Sequence, residues 1–139
     1  MFTYQDLLSA ITDPSGREVL DPATGEVVGS VHESTTAELD DAVAAARAAQ
    51  PEWARLGHEK RSEYLHKAAD AVEGNAEALA ELLSREQGKP VKNGPNAAFE
   101  VGGCSAWLRA SADFPLEPEV LVDDESGYAE MEYLSLIHI

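Results

Sequence analysis

Residues 61–90, RSEYLHKAADAVEGNAEALAELLSREQGKP, decide the fold of this chain. Apolar side chains recur there at helical spacing, which predicts one helix over about 58–73 and a second over about 75–87 with Asn75 as its N-cap residue. Gly88 suits the left-handed position that follows a helix, and Pro90 cannot continue one. The stretch therefore predicts a pair of helices that ends in a sharp corner.

A β-hairpin is predicted on the N-terminal side, in residues 17–33, REVLDPATGEVVGSVHE. Short apolar runs flank a turn in which Pro22 fixes its own φ and Gly25 can adopt a positive φ. Residues 1–16 lack a basic segment and a long apolar core, so they do not predict a secretory signal. We interpret them as an N-terminal extension.

A helix is predicted between this hairpin and the central pair. Thr35 and Glu38 have the spacing of a capping box, with Thr35 as the N-cap residue. Pro51 is expected to end the helix, and Trp53 to fill the gap before the next one.

Another helix is predicted to begin near Pro95. One face of this helix carries Phe99, Gly103, Ala106, Trp107 and Ala110. Beyond it, residues 119–122 and 128–133 predict two strands around an acidic turn, which is a second hairpin. Because an isolated hairpin is marginally stable in water, this one needs a partner.

The composition limits the function classes. Asp and Glu number 26 against 10 Lys and Arg, which gives a formal charge of −16. Such a charge repels phosphates, so we expect neither nucleic acid nor an anionic membrane as a partner. Scarcity of Lys suggests adaptation to high salt, although an ordinary acidic protein is the alternative. No apolar run is long enough to span a bilayer, so the simplest compartment is the cytoplasm.

Residues that could carry chemistry are few. Cys104 is the single Cys, which excludes an internal disulfide. It lies in a predicted helix without a basic neighbour in sequence, so we predict a buried structural thiol and not a nucleophile. The four histidines are not paired at metal-ligand spacing, and the acidic turn at 123–125 lacks the spacing of a calcium loop. With no phosphate-binding Gly motif either, we assign no catalytic, cofactor-binding or metal residue.

Three stretches together resemble the N-terminal part of the aldehyde dehydrogenase superfamily. They are DPATGEVVG at 21–29, ELDDAVAAARAAQPEWA at 38–54, and residues 61–90 with their closing EQGKP. The similarity runs from about Arg17 to Tyr133. Departures such as Asp21, where Asn is commoner, concern the subfamily and the substrate more than the family.

The resemblance implies an α/β parent fold, of which this chain would be a mostly helical fragment with a β-hairpin near each end. Residues 17–114 would be the N-terminal hairpin and helical part of the cofactor-binding domain. Residues 115–133 would belong to the oligomerisation β-arm, through which members form homo-dimers or homo-tetramers. Asp113 falls near a position that supplies a cation ligand in some members, together with backbone near Leu20.

The resemblance also implies a reaction, the oxidation of an aldehyde to a carboxylic acid with NAD or NADP. In the family a Cys thiolate attacks the carbonyl, an Asn and a backbone N–H hold the oxyanion, and a Glu activates water. Those motifs lie beyond residue 139, and Cys104 is not in the nucleophile motif. The fragment alone is therefore expected to be inactive.

The tail LSLIHI, residues 134–139, departs from the family pattern. The resemblance implies that the chain would continue after Tyr133 with a strand that leads to a Pro-Trp-Asn motif. The tail instead resembles the in-frame translation of a transposon-end sequencing adapter, which would make it an artefact of a gene fragment. A genuine terminal strand is the alternative, since the run is apolar and partly β-branched. If the chain did end there naturally, a stand-alone helical interaction module that uses its C-terminal hairpin for strand addition would be the competing function.

Overall fold

The computed structural model describes residues 2–91, 96–114 and 118–131. The elements follow in the order α1 (Tyr4–Ile11), β1 (Arg17–Leu20), β2 (Val27–Val31), α2 (Thr36–Arg55), α3 (Gly57–Gly74), α4 (Ala76–Gln87), α5 (Ala97–Asp113), β3 (Glu119–Asp124) and β4 (Gly127–Met131). The predicted mostly helical architecture with a hairpin near each end is confirmed. Over the described ranges, none of the helices combines the length and the apolarity that crossing a membrane requires.

Both hairpins are separate two-stranded antiparallel sheets. In the first, β1 pairs with β2 and a bulge follows Val19, while Gly25 has the positive φ of 76° that the turn needs. In the second, β3 pairs with β4 and every residue of both strands is exposed. Residues 115–117 and 132–133 of the predicted β-arm, the predicted start of the last helix near Pro95, and the 134–139 tail lie outside the described residues.

The core lies where α3, α4 and α5 meet, and it is built from small side chains. The buried apolar residues are Ala69, Ala78, Ala80, Ala97, Val101 and Ala112. Small residues let helix backbones approach closely but remove little apolar area from water. Among the described residues no large side chain is fully buried.

The face of α5 that carries Phe99 and Trp107 does not meet α3 and α4. Phe99 and Trp107 are 74% and 76% exposed, whereas Val101 and Ser105 are buried against the neighbouring helices. The interface with α3 and α4 takes small side chains and leaves these bulky apolar ones outside. The Ser105 hydroxyl is satisfied within its own helix by donating to Gly102 O at 3.0 Å.

The N-terminus of α2 is capped as predicted, but its C-terminus is not where Pro51 suggested. Glu38 N–H donates to Thr35 Oγ1 at 3.3 Å, and Thr35 N–H donates to the Glu38 carboxylate at 2.7 Å. Pro51 lies inside the helix, which continues to Arg55. A proline removes one intrahelical donor, and α2 is exposed along its length, so water can satisfy the freed carbonyl. Trp53 then packs against Tyr64 in a tilted arrangement, with ring centroids 5.8 Å apart.

The junction between α3 and α4 also differs from the expectation that Asn75 caps α4. Its side chain makes no capping bond to that helix. Instead Asn75 Nδ2 donates to Ala71 O at 2.8 Å, and Asn75 Oδ1 accepts the Phe2 N–H at 2.7 Å. The residue therefore joins three segments of the chain.

The N-terminal extension contains a helix that the sequence analysis missed. Asp6 N–H donates to Thr3 Oγ1 at 3.2 Å and Thr3 N–H donates to the Asp6 carboxylate at 2.8 Å, which forms a second capping box. The signal was available, since Thr3-x-x-Asp6 has the same spacing as Thr35-x-x-Glu38. The helix, α1, packs against α4 and β2.

Candidate functional site

A polar cluster centred on Arg109 joins α5 to α3. The guanidinium donates to Glu73 at 3.1 and 2.7 Å and to Asp70 at 2.7 Å. The hydrogen bonds that Arg109 donates to Glu73, and then to Asp70, raise the pKa of Arg109 above its usual value, and the same bonds lower the pKa of Glu73. Because a guanidinium presents its donors in a fixed plane, these contacts set the register of the two helices.

His66 extends this cluster toward the end of α5. Its Nε2 lies 2.9 Å from the Asp113 carboxylate, and its Nδ1 lies 3.3 Å from Arg109 Nη1. Arginine can only donate, so Nδ1 accepts and Nε2 carries the proton in this arrangement. Asp113, which the resemblance placed near a cation-ligand position, therefore contacts His66. No group of three or more His, Cys, Asp or Glu suited to a metal occurs in residues 2–91, 96–114 and 118–131.

Cys104 is exposed, so the prediction of a buried structural thiol is wrong. The residue lies at a cleft of about 410 Å³ between α3, α4 and α5, and the side chains that line it are apolar or acidic. The lining side chains include no positively charged group to stabilise a thiolate, so the geometry does not favour Cys104 as a nucleophile.

The Glu-Gln-Gly-Lys-Pro stretch forms the expected corner. Gly88 has φ of 70° and follows α4 as its left-handed cap, and the next residue, Lys89, pairs with Glu100 of α5. A Cβ on Gly88 would lie 2.7 Å from Cγ of Pro22 in the first hairpin. The corner thus brings α4, α5 and the hairpin turn together at one glycine.

His32 connects the first hairpin with the start of α2. Its Nε2 lies 3.1 Å from the Glu38 carboxylate, and its Nδ1 lies 3.3 Å from that of Asp13. Hydrogen bonding to Glu38, followed by Asp13, raises the pKa of His32 above its usual value. Both carboxylates also accept local backbone donors, so the imidazole links two capped turns.

Large apolar side chains remain uncovered outside the core. Trp53 of α2, Leu65 of α3 and Phe114 after α5 line one cleft of about 340 Å³. Trp107 and Phe99 lie open on α5, and β3 and β4 present Leu121 and Tyr128. An apolar surface of this extent is typical of a face that packs against another part of a protein.

A sequence profile of the aldehyde dehydrogenase family matches residues 11–129. The chain belongs to the aldehyde dehydrogenase family. Betaine aldehyde dehydrogenase of Rhizobium leguminosarum bv. trifolii is 44% identical over 81 residues, which are 58% of this chain and 17% of that protein. NADP-dependent glyceraldehyde-3-phosphate dehydrogenase of Streptococcus equinus is 43% identical over 118 residues, which are 84% of this chain and 24% of that protein.

The fold agrees with this membership. A crystal structure of glyceraldehyde-3-phosphate dehydrogenase from Methanocaldococcus jannaschii, complexed with NADP, superposes with a TM-score of 0.70 at 24% identity. The superposition covers 78% of this chain and 24% of that one. The chain therefore spans between about a sixth and a quarter of the length of these aldehyde dehydrogenase family proteins.

Proposed function

We propose that this chain is the N-terminal part of an NAD(P)-dependent aldehyde dehydrogenase that oxidises an aldehyde to a carboxylic acid. The family match over residues 11–129 carries the proposal. The relatives support the substrate class, since one is named for betaine aldehyde and another for glyceraldehyde-3-phosphate. The named use of NADP by the latter and the NADP in the similar crystal structure support the cofactor class.

The described residues do not themselves fit a dinucleotide. A dinucleotide site needs a Gly-rich turn between a parallel strand and a helix, with the pyrophosphate at the helix N-terminus. Both sheets in the described ranges are antiparallel hairpins, and neither leads into a helix through such a turn. We therefore propose that the 139 residues alone lack the catalytic centre.

The exposed apolar faces fit the role of a part that packs against the rest of an enzyme. The clefts at Trp53 and Cys104 and the open side of α5 are covered, in this proposal, by downstream sequence. The β3–β4 hairpin, exposed on both sides, belongs to the β-arm through which the parent forms a homo-dimer or homo-tetramer. The division at residues 17–114 and 115–133 is part of the same proposal.

An activity assay tests the proposal directly. The 139-residue chain and the continuous reading frame cloned from the source DNA are each incubated with betaine aldehyde or glyceraldehyde-3-phosphate and with NAD⁺ or NADP⁺. Reduced nicotinamide should form with the continuous frame for at least one aldehyde, and should not form with the 139 residues alone. Turnover by the short chain would contradict the absence of a catalytic centre. A continuous frame inactive on a broad aldehyde panel would contradict the assigned activity.

A second candidate is a stand-alone interaction module that binds a partner by strand addition. The exposed hairpin favours it, because within residues 2–91, 96–114 and 118–131 each of the two strands has a neighbouring strand on one edge only. Two further properties belong to the main proposal, a cytoplasmic location and adaptation to high salt. The charge of −16 supports the latter, since molar salt screens self-repulsion.

A further inference from the structure

We infer that residues 2–12 form a strap, a self-contained helix that docks as a unit and holds the β1–β2 hairpin against α4. All of α1 except Ile11 precedes the part of the chain that matches the family. The strap therefore adds a contact that the matched region does not include. The inference is independent of the proposed catalytic activity.

The strap has its own helix caps. Thr3 and Asp6 form the capping box at its start, and Thr12 donates to Leu8 O from both its backbone N–H at 3.0 Å and its hydroxyl at 2.8 Å. A helix of only eight residues is nevertheless unstable alone in water. Its helical state consequently reports whether it is docked.

Three contacts anchor the strap along its length. The Phe2 N–H donates to Asn75 at the α3–α4 junction, and the guanidinium of Arg85 on α4 lies 5.1 Å from the Tyr4 ring centroid. Leu8 packs over Gly29 of β2, where an added Cβ would lie 2.8 Å from Leu8 Cδ1. Tyr4 and Leu8 are four positions apart and therefore share one face of α1, so the docked surface takes an amphipathic helix with an aromatic residue and a leucine four positions later.

The strap ends at a fixed point. Asp13 N–H donates to Ser30 O at 2.9 Å, and the Ser30 hydroxyl donates back to Asp13 O. A Cβ on Gly16 would lie 2.2 Å from Val31 O, so the chain passes tightly against β2 there. Bending between Thr12 and Asp13 would thus release α1 while the hairpin itself stays paired. A cleft of about 180 Å³ between Leu8 and Leu82 shows that the docked surface is incompletely filled, which suits an element that can open locally.

Hydrogen exchange on the 139-residue chain tests the strap. Backbone amides of α1 should exchange at least about tenfold more slowly than in an unstructured chain, because docking stabilises the helix. Leu8→Ala should remove most of that protection and leave the amides of α3, α4 and α5 unchanged. Ser9→Ala, at an exposed position of the same helix, is the matched control and should keep the protection. An unprotected α1 in the parent chain, or equal effects of the two substitutions, would overturn the strap.

A second pair of variants separates docking from helix propensity. Gly29→Val adds bulk where Leu8 now packs, while valine itself favours a strand. Gly29→Val should lower the exchange protection of the α1 amides several-fold. The double variant with Leu8→Ala should lose less protection than the sum of the two single losses. Strictly independent effects would mean that Leu8 and Gly29 do not meet, and the strap would be refuted.

Discussion

Replacing Gly88 with alanine tests the corner where α4 ends against the first hairpin. Two features oppose a side chain at this position. The backbone has φ of 70°, a left-handed conformation that an L side chain disfavours, and a Cβ would lie 2.7 Å from Cγ of Pro22. Gly25 is the matched control, because it has φ of 76° and a Cβ added there would meet nothing within 4 Å.

The magnitudes follow from these two features. The left-handed backbone costs an alanine about 1–2 kcal/mol, and forcing bulk against the Pro22 ring costs about 1–3 kcal/mol more. Alanine also lowers the entropy of the unfolded chain, which offsets about 0.4–1 kcal/mol. The free energy of unfolding should therefore fall by roughly 2–4 kcal/mol for Gly88→Ala and by about 1 kcal/mol for Gly25→Ala.

Urea unfolding followed by far-ultraviolet circular dichroism measures both changes. The double variant Pro22→Ala/Gly88→Ala should recover the part due to the collision, since the alanine at position 22 has no Cγ. Equal losses for Gly88→Ala and Gly25→Ala, or no recovery in the double variant, would refute the packing of the hairpin turn on the α4 corner.

Three further predictions concern stability. Thr35→Ala removes the α2 capping box and should lower the free energy of unfolding by about 0.5–2 kcal/mol in urea titrations. Thr35→Ser keeps a capping hydroxyl and should retain most of that stability. Ala69→Leu places extra bulk at a fully buried position between α3 and α5 and should cost about 1–3 kcal/mol in the same titration, and a neutral result would contradict the close helix packing. The folded-state pKa of His32 is raised, chiefly by Glu38. Its contribution to the stability of the fold is therefore complete below the unfolded pKa of about 6.5 and is lost as pH rises through the folded pKa. Melting temperatures measured from about pH 6 to pH 8 should therefore fall less in His32→Gln than in the parent. Parallel curves would contradict a stabilising contribution from protonated His32.

Local chemistry in the sequence was sufficient to predict several elements. The Asp-Pro-Ala-Thr-Gly turn predicts the first hairpin because proline fixes its own φ and glycine permits a positive φ wherever they occur. The capping box at Thr35 and the left-handed Gly88 are likewise determined within one turn of helix. The prediction that this part of the protein includes no catalytic or cofactor-binding residue also rests on local motifs, and it stays a prediction.

Tertiary contacts determined the features that the sequence analysis did not predict correctly. Apolar periodicity marked the face of α5 that carries Phe99 and Trp107, but it did not show that the neighbouring helices contact small side chains on another face. Asn75 has the position of a cap, yet its amide instead binds the N-terminal strap. Cys104 was expected to be buried because of its residue type, whereas its exposure depends on what packs against α5.

Sequencing the source genomic DNA across codons 125–160 tests the central claim most directly. We predict that the reading frame continues past Tyr133 into a strand that leads to Pro-Trp-Asn, and that the codons for LSLIHI are absent from the gene. A genomic stop codon immediately after Ile139 would contradict the proposed aldehyde dehydrogenase activity, and the exposed β3–β4 hairpin would then indicate an interaction module.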